Sequence, residues 1–403
     1  MTGDQKWDLV VVGAGPAGSA AAIGALRVRP DLRVLLLDRS AFPRDKACGD
    51  GIAPHVLDLL EEHAVTGLVD DRVPVSHLRL RRGTTSVCRR MSRPAWVVPR
   101  AVFDARLRDA ALAAGAVPER AQVRSVTIGP GGAEVAGDSG SFVARVVVGA
   151  DGAHSVVARS VAASTTRKSA FALRGYAPTP ASRAGEQVIV FGDTRQPSYA
   201  WSFDRGDGWA NVGYGELLSG RQALPTRRLL LEQLERLLPG ATERGREWRG
   251  HHLPLSPWRW RPAPGRVLLA GDAAGLINPL TGEGIYYAVL TGLLAGKAVA
   301  AAITDGSATA AGAGYGRAVT PRLRGNLPST ALAAGLTRAD LVLDAGLRAA
   351  AADQRVFDDL VELGLADGTL TPRLVGGLAG ELAGGLAGRR TGMGRPSRGT
   401  RSR

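Results

Sequence analysis

Near the start of the chain, Gly13, Gly15 and Gly18 set a G-x-G-x-x-G spacing inside VVVGAGPAGSAAA, and few short patterns limit a fold more tightly. The glycines follow a β-branched run, residues 7–12, and open a segment of helical composition, residues 19–27. A second apolar run, residues 33–37, ends at Asp38, 20 residues beyond Gly18. This order predicts a strand, a tight turn, a helix and a parallel second strand. The first glycine permits the turn, the second lets backbone approach a pyrophosphate, and the third lets the helix lie against the strand, while Asp38 can accept from ribose hydroxyls. Unpaired N–H groups and the positive end of the helix dipole would face the phosphates. The chain is therefore expected to be an α/β protein with a Rossmann-type dinucleotide-binding core.

At 403 residues the chain exceeds what one hydrophobic core usually serves, so two domains or one elaborated domain are expected. Residues 123–149 read as three strands divided by the turn formers GPGG and GDSG, a β-meander. Residues 167–261 alternate strands and turns around one helix at 226–238. The strand VLLA after Arg266 then leads through GDAAG into a long Ala/Leu/Gly helix, and residues 320–388 read as helical. The apolar run 286–303 contains Lys297 and reads as a buried helix rather than a membrane span. Two cysteines, Cys48 and Cys88, exclude a disulfide framework and a four-cysteine metal site, and fit a reducing, cytoplasmic compartment.

The formal charge of +14 is nearly all arginine, since lysine occurs only at positions 6, 46, 168 and 297. Six arginines fall in the last fifteen residues, RRTGMGRPSRGTRSR, which lack acids and apolar periodicity. That segment is expected to be disordered, either simply solvated or in contact with an anionic membrane surface. No zinc-finger spacing or RNA-binding aromatic signature accompanies the charge, so nucleic acid is not an expected partner.

Two later motifs place aspartates at strand ends beside glycines: GADGAHSVVAR (149–159), with Asp151, and GDAAGLINPLTGEGIYYAV (271–289), with Gly271 and Asp272. With GAGPAG they form an ordered triplet that resembles the FAD-dependent oxidoreductases, a group including aromatic hydroxylases, flavin halogenases and geranylgeranyl reductases. The resemblance spans residues 8–305. It implies a discontinuous FAD-binding domain (1–70, 98–165 and 262–320), a β-rich mixed-sheet substrate domain (71–97 and 166–261), a helical C-terminal region (321–388) and the basic tail (389–403). It also implies FAD contacts from Pro16, Ala17, Arg39, Val123 and Asp151, from Arg100 at the start of a helix, and from Asp272 on the ribityl and pyrophosphate region. Pro279, Gly282 and Gly284 stand just before the long helix that begins near Ile285, so bare N–H groups there can approach the flavin N1 and C2 carbonyl, where reduced flavin carries negative charge.

Three features are similar to the reductase branch of that group. FPRDKACGDG (42–51) resembles its loop after the second strand, implying Arg44 and Gly49 at FAD and Cys48 against the isoalloxazine face, where a thiol can hydrogen-bond or relay a proton. PLTGEGIYYA matches the reductases and lacks the lysine-bearing segment of a halogenase. YAWSF resembles their Y-x-W-x-F-P motif, with Asp204 in place of the proline. Residues 197–216 hold five of the chain's twenty Phe, Trp and Tyr residues, and on a strand Tyr199, Trp201 and Phe203 would share one face. Such a wall suits a long apolar substrate, the alternative being an ordinary sheet core.

The expected function is an FAD-dependent reductase that saturates C=C bonds of a polyprenyl substrate: a geranylgeranyl lipid, a geranylgeranyl diphosphate or a menaquinone side chain. Cys48, Tyr199 and Trp201 are its catalytic candidates, and no carboxylic acid in the motifs presents itself as proton donor. The alternatives are a flavin monooxygenase acting on an aromatic or polyketide-like molecule, and an electron-passing subunit that docks a partner through the helical C-terminal region. A single glycine-rich fingerprint leaves the reductant as NAD(P)H without a dedicated domain, or a ferredoxin or similar donor protein.

Overall fold

The computed structural model of the chain describes residues 6–161, 169–193, 196–218 and 224–392. Its first sheet has seven strands. Trp7–Val12 lies between Val34–Asp38 and Gly140–Gly149, parallel to both, with Val117–Arg120 beyond Val34–Asp38 and Val267–Leu269 parallel to the end of Gly140–Gly149. Leu9, Val10, Val11 and Leu37 are fully buried because layers cover both faces of this sheet, which is why these strands read as unbroken apolar runs. The expected meander is present: Val123–Gly129, Gly132–Gly137 and Gly140–Gly149 pair antiparallel in sequence order.

The helix Pro16–Val28 starts with proline in its first turn, where the missing N–H costs nothing. It packs along the buried helix Ile285–Thr304 so closely that a methyl group on Gly296 would lie 2.0 Å from the Ala21 carbonyl oxygen, and one on Gly292 would lie 2.2 Å from that of Ala17. The Ala/Gly richness of these two helices thus has a structural use: no larger side chain admits this approach. Ile285–Thr304 has the length and composition of a membrane span, and 78% of its most apolar window is buried inside the protein.

The second sheet has eight strands, in the spatial order 246–253, 170–178, 209–217, 198–204, 186–191, 74–82, 85–97 and 51–52. One face of its centre is covered by the helix Arg227–Leu237, whose start is capped by the Thr226 hydroxyl and whose Leu230 and Leu234 pack on Val188, Ala200, Val212 and Tyr214. The opposite face carries Tyr199, Trp201 and Phe203. The helices Ala311–Leu323, Asn326–Leu336, Asp340–Ala352, Gln354–Leu365 and Pro372–Gly392 complete the chain. Leu347, Phe357 and Val361 from this helical region pack on Leu78, Leu80 and Met91 of the second sheet, so it roofs the space beside the aromatic face. Pro372–Gly392 carries helix through the first four residues of the segment expected to be disordered, and 393–403 lie outside the described residues.

Candidate active site

One cavity of about 700 Å³ runs from the glycine turn, across the loop Arg44–Gly49, to the second sheet and the C-terminal helices. All the expected cofactor contacts line it except Gly18 and Gly271. Those two are packing positions, the role the spacing gives Gly18. A methyl group on Gly18 would fall 1.7 Å from the Gly13 carbonyl oxygen, and Gly271 lies between Ala17 and Ala288, its N–H donating to the Thr291 hydroxyl. Gly13 has φ +102°, a conformation natural to glycine alone, and a methyl group there would meet the Ala150 carbonyl oxygen at 2.3 Å.

The dinucleotide half suits FAD by its donor set. Gly15 caps the N-terminus of Pro16–Val28, and a methyl group on it would stand 3.0 Å from an Arg44 guanidinium nitrogen. A helix N-terminus and an arginine therefore converge on one spot, an arrangement that recognises a pyrophosphate. Arg44 is held there by Asp104 at 3.0 Å, and Asp104 also takes both Arg100 contacts, at 2.6 and 2.8 Å. Asp38 closes the second strand, its carboxylate accepting from the N–H groups of Ala14 and Ser40. Asp151 accepts from Ser155 and from the N–H groups of Val156 and Val157, so it shapes its own loop at the cavity edge. Lys46 donates to Asp272 at 2.9 Å; burial alone would raise the Asp272 carboxyl, but Lys46 holds it below its ordinary range. His251, beside this pair, stays neutral, pushed down to about 4 by burial and by Lys46. Gly282 and Gly284 face the same space, between the Tyr199 hydroxyl and the Asp272 carboxylate, where any side chain would narrow the bed for a planar ring.

The other half is the aromatic wall. Neighbouring rings of Tyr199, Trp201 and Phe203 lie 5.9 and 6.4 Å apart, and all three line the cavity. Trp201 lies over Gly213 of the neighbouring strand, where a methyl group would fall 2.2 Å from the indole. Its Nε1–H donates to Asn211 at 2.8 Å, and the Asn211 amide donates in turn to the Cys48 carbonyl and the Asp50 carboxylate, both at 2.8 Å. Tyr176 donates to the same Asp50 oxygen at 2.6 Å. Asn211 thus ties the orientation of the wall to the position of the Cys48 loop. Asp50 is fully buried, and that burial raises its carboxyl to about 6.

Cys48 is half-buried in the cavity wall, and burial raises its thiol although the Arg100 guanidinium beside it pulls the other way. The Tyr199 hydroxyl donates to the Thr281 carbonyl, and burial holds it well above the ordinary phenol range. Glu283 lines the same cavity, its Oε1 accepting from the Tyr286 N–H at 2.9 Å, and burial pushes its carboxyl up to about 7. Sequence reasoning passed over Glu283, Asn211, Asp50 and Lys46. Glu283 carried a visible signal, an acid between two glycines in an otherwise apolar turn. Asn211 and Asp50 carried none, because their roles come from a strand pairing that sequence spacing does not show.

No family model matches the chain. It is 34% identical over 316 residues to a menaquinone reductase of Mycolicibacterium smegmatis, covering 73% of this chain and 76% of that protein. It is 32% identical over 320 residues to a geranylgeranyl diphosphate reductase of Rhodobacter capsulatus, covering 75% and 77%. Among solved structures, a geranylgeranyl bacteriochlorophyll reductase-like protein of Thermoplasma acidophilum superposes with a TM-score of 0.77 at 22% identity, over 96% of this chain and 100% of that one. That likeness extends the shared fold through the C-terminal helices.

Proposed function

The chain belongs to the geranylgeranyl reductase family of FAD-dependent oxidoreductases, and from that premise we propose that it saturates carbon–carbon double bonds in the polyprenyl chain of a lipid. A menaquinone, a geranylgeranyl diphosphate or a geranylgeranyl glycerolipid would each present such a chain. The observation that carries this reading is the apolar reach of the cavity. Beyond the aromatic wall its lining continues through Leu343, Leu347, Leu360, Leu363 and Leu374 to Leu336, which is 40% exposed and marks an opening. A long slot without charges along that stretch accommodates a prenyl chain, whereas a small phenolic substrate would leave most of it unfilled.

Bound FAD, once reduced, supplies hydride. The glycine turn, Arg44, Asp38 and Asp272 would hold the dinucleotide, and the backbone of Pro279–Gly284 would shape the bed of its ring. Tyr199 keeps that bed in place through the Thr281 carbonyl. Trp201, fixed by Asn211, presses the alkene toward the ring and excludes water from it. The Cys48 thiol, protonated at neutral pH, offers a weak donor in the same cavity wall.

Two further roles belong to the same reading. Leu332, Leu336, Leu341 and Val375 are each at least 40% exposed on the helices around the opening, and the arginine-rich segment follows the last of these helices. Together they would seat the opening on an anionic membrane surface from which a prenyl lipid is drawn. Reducing equivalents would come from NAD(P)H or from a ferredoxin-type donor.

The test is an anaerobic titration of dithionite-reduced holoprotein with geranylgeranyl diphosphate and geranylgeranyl lipids, which have no quinone to accept the electrons, and with phenolic monooxygenase substrates. Return of the oxidised flavin spectrum with the prenyl compounds alone supports the proposal. A flavin that stays reduced with every prenyl compound refutes it.

A further inference from the structure

The proposed reaction needs a proton as well as a hydride. An isolated alkene is a poor hydride acceptor, so protonation must accompany transfer, and the acid has to sit inside the dry part of the cavity. Most carboxyls that line the cavity are already engaged. Asp38 and Asp151 lie at the dinucleotide half of the cavity, where they hold the Ala14 turn and the loop after Asp151, and Asp45 pairs with Arg174 and Arg249. Asp272 pairs with Lys46, and Glu216 accepts from the Tyr214 hydroxyl. Asp50 is fully buried behind the wall and does not line the cavity.

Resting on the prenyl-reductase reading, we propose that Glu283 is the proton donor, its carboxyl set between Gly282 and Gly284 in the cavity wall that Tyr199 and Cys48 also line. The glycines on either side leave it unshielded by neighbouring side chains, and its backbone is fixed by the hydrogen bond from Asn278 N–H to the Glu283 carbonyl. The titratable and charged groups whose fields reach it are Tyr199 of the second sheet, Cys48 of the loop, Arg100 of the helix Arg100–Ala113, Asp272 of the turn after Val267–Leu269, and Tyr287 of the helix Ile285–Thr304 that follows it. Burial favours the neutral acid and Asp272 adds to that, while Arg100 and the N–H groups of Ile285 and Tyr286 favour the carboxylate. The balance near 7 leaves a large protonated fraction at neutral pH, the condition under which a general acid is most effective. Tyr199 and Cys48, the candidates named from sequence, hold their protons more tightly, and the Tyr199 proton is committed to Thr281.

In the step, hydride brings both electrons to one alkene carbon. The Glu283 O–H bond breaks, a C–H bond forms at the other alkene carbon, and the carboxylate left behind is reprotonated from solvent between turnovers.

Three proteins test this: the wild type, Glu283→Gln and Glu283→Asp, each reconstituted with FAD and reduced anaerobically before a prenyl lipid is added. Glu283→Gln, which can still accept from Tyr286, is expected to bind FAD within about 2-fold of wild type but to saturate the chain about 100-fold more slowly. The wild-type rate should fall as pH rises through about 7, and Glu283→Gln should lose that fall. Glu283→Asp, which keeps an acid, should retain a pH-dependent rate. A second readout needs no cofactor: the infrared carboxyl band of FAD-free wild type should titrate near pH 7, and that component should be missing in Glu283→Gln. An active wild type with Glu283→Gln within about 3-fold of it, or with the same pH profile, overturns the assignment. A wild type that saturates no prenyl chain instead overturns the functional reading on which it rests.

Discussion

Asp50→Asn tests the hydrogen-bond network behind the aromatic wall by its signature in stability. Asp50 is fully buried, and its carboxyl is raised from an ordinary 3.8 to about 6 because loss of water outweighs the hydrogen bonds from Tyr176 and Asn211. A raised carboxyl binds its proton more tightly in the folded state than in the unfolded one. Its stabilising contribution is therefore complete below about 4 and is lost as pH rises through about 6. The whole span corresponds to about 3 kcal/mol, of which about 1.4 kcal/mol falls between pH 5 and pH 8. Asparagine keeps the shape and cannot ionise. Urea unfolding of FAD-free protein at both pH values should show wild type gaining about 1.4 kcal/mol relative to Asp50→Asn on going from pH 8 to pH 5. A difference that does not change with pH, or that changes in the opposite sense, refutes the picture of a desolvated carboxyl at the centre of the network.

Other substitutions probe neighbouring parts. Gly213→Ala places a methyl group 2.2 Å from the Trp201 indole and 2.5 Å from the Leu173 carbonyl oxygen, which cannot retreat; it should expel the indole, cost about 2 kcal/mol and red-shift tryptophan emission. Gly296→Val, pressed against the Ala21 carbonyl, should cost about 3 kcal/mol or more in the same unfolding assay and weaken FAD retention. Arg44→Met removes the cation above the N-terminus of Pro16–Val28 and should weaken FAD binding by about 10- to 100-fold, read by quenching of flavin fluorescence. Asn211→Leu leaves the Trp201 N–H and the Cys48 carbonyl without their partner, and should cost about 2–4 kcal/mol while slowing prenyl reduction at unchanged FAD affinity.

Local signals in the sequence were enough for the dinucleotide half of the site. The run before Gly13, the three glycines and Asp38 lie within one βαβ unit, and contacts that close in sequence follow directly from spacing. The meander at 123–149 and the buried helix after Ile285 were legible for the same reason, each being marked by its own turn residues or apolar length. The alternation of Tyr199, Trp201 and Phe203 also forecast their shared face. What spacing could not reveal is what that face looks onto. The C-terminal helices bring Leu347 and Leu360 across from Ile189 and Phe191, a long-range packing that no local pattern encodes. The alanine and glycine content of these two segments is what lets Pro16–Val28 and Ile285–Thr304 pack backbone to backbone. Gly18, expected to let the helix lie against its strand, and Gly271, set in a cofactor motif, both lie beneath the cavity, since a glycine at a crossing and a glycine at a ligand look alike in sequence.

The central claim is that the cavity delivers hydrogen, not oxygen, to a prenyl chain. The most direct measurement is the mass of the product after a single turnover of reduced holoprotein with a geranylgeranyl lipid, which carries no quinone to take the electrons, run first without and then with oxygen. The account predicts a product heavier by two hydrogens per saturated bond in both runs. A product that appears only with oxygen and carries one added oxygen atom would contradict it.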